Sequence, residues 1–172
     1  MEYLSQWPES RYYTQRMSTD MTYQTESTSL ETTEQFASSL GSRLRGGEVI
    51  VLVSDLGGGK TAFVRGLARG MGSTDHVASP TFTISREYKS GKLTLYHFDF
   101  YRLQEPGIVA AELEEFIHDP TAVVAIEWGA IVKDVLPEDK MVINITRTGE
   151  TSRHLEVTYS EKLAYLIPEE AK

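Results

Sequence analysis

At 172 residues the chain is long enough for one domain, burying roughly 70% of the surface its unfolded form would expose. It has no cysteine, which excludes disulfides and thiolate metal sites and suits a reducing compartment. Its 25 acidic against 17 basic side chains give a formal charge of −8, a field that disfavours tight autonomous binding of bare nucleic acid.

Residues 1–27, rich in Tyr, Ser, Thr and Gln, show neither helical nor strand periodicity and read as a flexible extension. Met17 and Met21 both qualify as alternative start sites. The first residues lack the charged, apolar, small-residue order of a signal peptide, and no apolar run approaches the ~18 residues of a membrane span, so a cytoplasmic protein is expected. A single domain is expected over 28–168. It opens with a helix: Thr28 and Glu31 have capping-box spacing, Phe36, Leu40 and Leu44 recur at helical intervals, and Gly46-Gly47 stops the pattern.

"EVIVLVSD" then reads as a buried parallel strand, a glycine-rich stretch as a loop, and "KTAFVRGLARGM" as a helix with Phe63, Leu67 and Met71 on one face. The alternation on both sides of Lys89-Ser90-Gly91-Lys92 predicts a β-hairpin. "GIVAAELEEFI" predicts a helix and "AVVAIEW" a buried strand ending on an acid. A second hairpin turns near Gly149, and a short helix covers about 161–166.

The strand, loop and helix around Gly59-Lys60-Thr61 match the phosphate-binding form G-x-x-x-x-G-K-[ST] except at its first position, where Ser54 replaces glycine. Such a loop aims backbone N–H groups and a helix dipole at one point, which suits a polyphosphate. Gly57, Gly58 and Gly59 let the backbone curl, Lys60 can bridge the β- and γ-phosphates, and Thr61 offers a hydroxyl to Mg²⁺. The competing reading is a tight turn with a solvated lysine. The first glycine serves the turn more than the phosphates, so Ser54 is expected to weaken affinity before abolishing it.

A Mg²⁺ beside that loop needs hard oxygen ligands, normally including an acid at a neighbouring strand end. Two acids qualify. Glu127, ending "AVVAIE", is assigned to the metal, and Asp99, after "LTLYHF", to the γ-phosphate or the attacking water. The alternative for Asp99 is a structural partner of Arg102 or His97. The only asparagine is Asn144, so the Asn-Lys-x-Asp guanine reader of a GTPase is absent and ATP is the default. There is also no G-x-S-x-G nucleophile elbow.

In order, the segments from Thr28 through "LGGGKTAF", "ASPTFTISREY", "LYHFDFYRL", "IEWG" and "LPED" resemble the bacterial TsaE (YjeE) family, P-loop ATPases of tRNA threonylcarbamoyladenosine biosynthesis. The resemblance implies an α/β P-loop NTPase fold with a mixed parallel and antiparallel sheet flanked by helices. It implies an ATPase that is slow alone and works with TsaB and TsaD, tRNA being held only through these partners. Matching positions give the loop as Leu56 to Thr61, with Lys60 on phosphate and Thr61 on Mg²⁺. They give Glu127 the metal role with Trp128 beside it, and Asp99 the water or γ-phosphate role. Ser79, Pro80 and Thr81 fall where the family has a switch-like segment, and Thr33 falls near its base contact. The family usually reads Gly-Asp-Leu-Gly-Ala-Gly-Lys-Thr-Thr, whereas this chain has Ser54, Gly58 and Ala62. Two other functions fit the loop: a small-molecule or nucleotide kinase, and a nucleotide-gated binding module with little turnover.

Overall fold

A computed structural model of the chain describes residues 20–168. Most of the expected extension, Met17 included, therefore lies outside the described residues. Seven strands form one sheet: β1 (Met21–Ser27), β2 (Val49–Val53), β3 (Ser85–Ser90), β4 (Leu93–Asp99), β5 (Ala122–Glu127), β6 (Met141–Arg147) and β7 (Arg153–Tyr159). Their order across the sheet is β1-β7-β6-β2-β5-β4-β3. The four central strands β6, β2, β5 and β4 are parallel. The outer pairings are antiparallel. Three α-helices, α1 (Leu30–Gly41), α2 (Lys60–Met71) and α3 (Gly107–Ile117), cover the faces with 3₁₀ segments at Gly129–Val135 and Glu161–Leu166.

The central strands are apolar on both faces because both are covered. Every residue of β2 is buried. Ile50 and Leu52 join Phe63, Leu67 and Leu40 beneath α1 and α2, while Val49 joins Phe98, Leu113 and Ile126 beneath α3. The same two-residue period puts Leu95 and Val123 on the α2 side. His97, Asp99 and Glu127 share their parity. In register, Asp99 lies opposite Glu127, and Leu52 opposite Glu127 on the other side. The two acids therefore meet at the carboxyl ends of parallel strands, where open α/β sheets bind ligands.

Helices α1 and α2 approach closely along a seam of small residues. A Cβ on Gly70 would stand 2.0 Å from Ser38 O, and one on Gly66 would stand 2.6 Å from Ala37 Cβ. Helix α1 differs from the sequence expectation at both ends. Its N-cap is Ser29, whose Oγ accepts from Thr32 N–H at 3.2 Å, instead of Thr28. It stops at Gly41, leaving Leu44 in the turn that follows. That turn is held by buried Glu48, whose carboxylate accepts from the N–H groups of Arg45 (2.6 Å) and Gly46 (2.8 Å) and from the Tyr165 hydroxyl (2.6 Å).

Residues 21–27 also correct the expected extension. They form an edge strand paired with β7 from Met21 opposite Tyr159 to Ser27 opposite Arg153. Tyr23 stacks on Phe36 of α1 at 5.7 Å, and Gln24 bonds Glu156 across the pair at 2.6 Å. Most of this strand is exposed, and beyond Met21 and Tyr23 its side chains are polar, so it carries no sustained apolar alternation.

Candidate functional site

Strand β2 ends at Val53, and the chain turns through Ser54–Gly59 into α2. Gly57 (φ +75°) and Gly59 (φ +118°) occupy the left-handed region, which a side chain would strain. No side chain caps α2. Its first bond runs from Phe63 N–H to Gly59 O, so the N–H groups of Thr61 and Ala62 precede the helix's own bonding pattern. They and the positive end of the helix dipole suit an anion at this terminus.

Gly58 is needed for a different reason. A Cβ there would stand 2.0 Å from Ser54 Oγ and 3.0 Å from Asp55 O. Ser54 thus fills the space that a side chain at position 58 would take. The only described non-glycine residues with positive φ are Ile84 and Trp128, so Ser54 enters the turn without left-handed strain. Its Oγ donates to Asp55 O at 2.9 Å.

Lys60 is buried, with Nζ donating to Ser54 O at 2.9 Å and to Asp55 O at 3.2 Å. It also lies 4.2 Å from the centroid of the Trp128 ring. Trp128 adopts φ +58° at the exit of β5, and its ring packs 5.1 Å from Tyr101. An ammonium held between carbonyls and an indole face is pre-oriented toward the loop's centre.

The acids are organised separately. Thr61 Oγ1 donates to Glu127 Oε1 at 3.3 Å, and the same oxygen pairs with His97 Nε2 at 2.8 Å. Both His97 and Glu127 are buried, and His97 Nδ1 has no hydrogen-bond partner among the described residues. The tautomer protonated at Nε2 therefore gives the carboxylate its donor. Asp99 Oδ2 accepts from Thr81 Oγ1 at 2.5 Å and from Ser79 Oγ at 3.2 Å, while Oδ1 accepts from Tyr101 N–H at 3.0 Å. Asp99 is thus tied to the Ser79–Thr81 segment instead of His97 or Arg102. Arg102 lies over the Phe82 ring at 4.4 Å.

One cleft of about 260 Å³ collects these groups, lined by Leu56 through Thr61 together with Thr81, Asp99, Glu127 and Trp128. The hydroxyl of Thr61 and the carboxylate of Glu127 are adjacent hard-oxygen donors, a set that fits Mg²⁺ with water completing its shell. Thr33 is not brought to the cleft. It is fully buried in the first turn of α1, its hydroxyl bonded to Ser27 Oγ (2.7 Å) and Ser29 O (3.2 Å). Sequence reasoning missed His97 as the partner of Glu127, Tyr101 as a cleft wall, and Arg153, whose Nε donates to Gly58 O at 3.0 Å.

A family model described as threonylcarbamoyl adenosine biosynthesis protein TsaE matches residues 27–155. The chain belongs to the TsaE family. Proteins named tRNA threonylcarbamoyladenosine biosynthesis protein TsaE share its sequence. That of Bacillus subtilis is 38% identical over 128 residues, covering 74% of this chain and 80% of the relative. That of Treponema pallidum is 38% identical over 138 residues, covering 76% and 96%. The crystal structure of Bacillus subtilis YdiB superposes with a TM-score of 0.71 at 33% identity, covering 86% of this chain and 90% of that one. The fold is accordingly of the α/β P-loop type. The TsaE match contains the whole cleft and Arg153, and it begins at the last residue of β1.

Proposed function

We propose that this TsaE-family protein binds and hydrolyses Mg²⁺-ATP in the cleft, slowly by itself. In this reading it is the ATPase subunit of the bacterial complex with TsaB and TsaD that forms N6-threonylcarbamoyladenosine at position 37 of tRNAs reading ANN codons. The observation that carries the reading is convergence: the glycine-rich Leu56–Thr61 loop, the bonded Thr61–Glu127 pair and Asp99 line a single cleft. The names of the relatives support the pathway. The charge of −8 suits a subunit that leaves tRNA to its partners. Among the described residues no helix is long and apolar enough to cross a membrane, which agrees with work in the cytoplasm.

The residues divide the work. N–H groups at the head of α2 bind phosphate oxygens, and Lys60 exchanges its carbonyl partners for the β- and γ-phosphates. Thr61 and Glu127 hold the ion, which when bound neutralises charge on the phosphates. His97 keeps the Glu127 carboxylate turned toward Thr61. Asp99 orients the attacking water and, through Thr81 and Ser79, couples it to the switch-like segment.

The test is phosphate release measured with TsaB and TsaD present. Free phosphate that is stimulated by the partners and lost in Asp99→Ala is expected. A phosphorylated acceptor in place of free phosphate would make the protein a kinase, and no partner-stimulated release would make it a binding module. Glu127→Ala is expected to lower turnover by several powers of ten, the scale of metal and water positioning in phosphoryl transfer. Normal hydrolysis in that variant would remove Glu127 from the metal.

A further inference from the structure

We propose that Arg153 is a positioning residue for the phosphate loop: it fixes the direction of the Gly58–Gly59 peptide before nucleotide arrives. The proposal rests on the reading of that loop as a phosphate site.

Arg153 opens β7, paired with Arg147 of β6 and Ser27 of β1. Its side chain leaves the strand and reaches the loop 95 positions away, where Nε donates to Gly58 O at 3.0 Å. Nη1 donates to Thr151 O at 2.7 Å, so two carbonyls fix the planar guanidinium. A Cβ on Gly59 would stand 3.3 Å from Arg153 Nε, which places the arginine against the loop, and Arg153 is not among the residues that line the cleft.

In a trans peptide the C=O and the following N–H point in opposite directions. A Gly58 carbonyl held by Arg153 therefore turns the Gly59 N–H away from the arginine. The two torsions that would reverse this peptide belong to Gly58 and Gly59, and neither carries a Cβ to resist the change. Neighbouring bonds do not replace the restraint. Gly58 N–H is bonded to Asp55 O at 3.0 Å, Lys60 Nζ holds the carbonyls of Ser54 and Asp55, and Gly59 O accepts from Phe63 N–H at 2.9 Å, but none of these bonds is made by the C=O or N–H of that peptide itself. Three successive glycines give the loop freedom, and Arg153 removes it at the peptide where the N–H direction matters.

The experiment uses the full chain and compares it with Arg153→Met, which keeps an apolar stem, and Arg153→Lys, which keeps a donor. Amide relaxation by nuclear magnetic resonance is measured without nucleotide, and Mg²⁺-ATP binding and turnover are measured separately. The expected result in Arg153→Met is an order parameter at Gly59 falling from about 0.85 to below about 0.6, with the amides of β2 and β7 unchanged. ATP affinity falls roughly tenfold, the scale of one hydrogen bond from a charged donor, while turnover at saturation changes little. Arg153→Lys recovers part of both losses. Unchanged relaxation at Gly59, or loosening shared equally by β7, would overturn the proposal. If the parent chain bound no Mg²⁺-ATP, the function proposed above would fall, and the relaxation comparison would still decide the role of Arg153.

Discussion

Ser54 and Gly58 compete for space across the glycine-rich loop before α2. With Ser54 Oγ only 2.0 Å and Ser54 Cβ 2.9 Å from a Cβ at position 58, the loop has room for one side chain at that point. A side chain at position 58 and the Ser54 side chain therefore compete for one space. Gly58→Ala alone is expected to cost about 1–3 kcal/mol of stability in urea unfolding, as overpacking does. The double variant Ser54→Gly/Gly58→Ala should recover most of it, leaving the tight 3.0 Å approach to Asp55 O. Additive losses in that cycle would mean the two positions are independent. The loop and both acids were legible in the sequence because each follows from local order, a strand end followed by a loop or an acid. The His97–Glu127 and Arg153–Gly58 contacts were not. They depend on which strands neighbour one another, and Arg153 lies 95 positions from its carbonyl.

At the scale of elements, the turn from α1 into β2 is stabilised by Glu48 and Tyr165, and it gives the fold an alkaline limit. Burial, then the hydrogen bond to Glu48 and the charge of that carboxylate, push the Tyr165 hydroxyl well above its ordinary range, against the opposing Arg45. Burial is also the main cause raising Tyr88, Tyr96 and Tyr159. A raised folded pKa means the unfolded chain releases its protons first, so this stability is complete below about pH 10 and declines above it. Thermal unfolding should show a steeper fall above about pH 10 in the parent than in Tyr165→Phe. Equal slopes would show that Tyr165 does not contribute. Helix α2 was legible to its ends because Gly59 and Gly72 punctuate it. The ends of α1 were less so. Thr28 and Ser29 both precede the helix as possible caps, and the close approach to Leu67 O that demands Gly41 is a tertiary fact.

For the whole molecule, the sheet extends one strand beyond what alternation could show. Edge strand β1 shields β7, which carries Arg153, and packs half-buried Tyr23 against Phe36. A chain beginning at Thr28 should unfold about 5 °C or more below one beginning at Met21. It should also associate through the exposed β7 edge. Identical melting of the two would deny β1 a stabilising part. Across the rest of the sheet, the parallel centre gathers the ends of β2, β5 and β4 into one cleft, and the account stands on ATP occupying it. Calorimetric titration of Mg²⁺-ATP into the full chain, beside Lys60→Ala, tests this most directly. Saturable binding of one nucleotide that Lys60→Ala removes is the predicted result; no binding, or binding indifferent to Lys60, would contradict it.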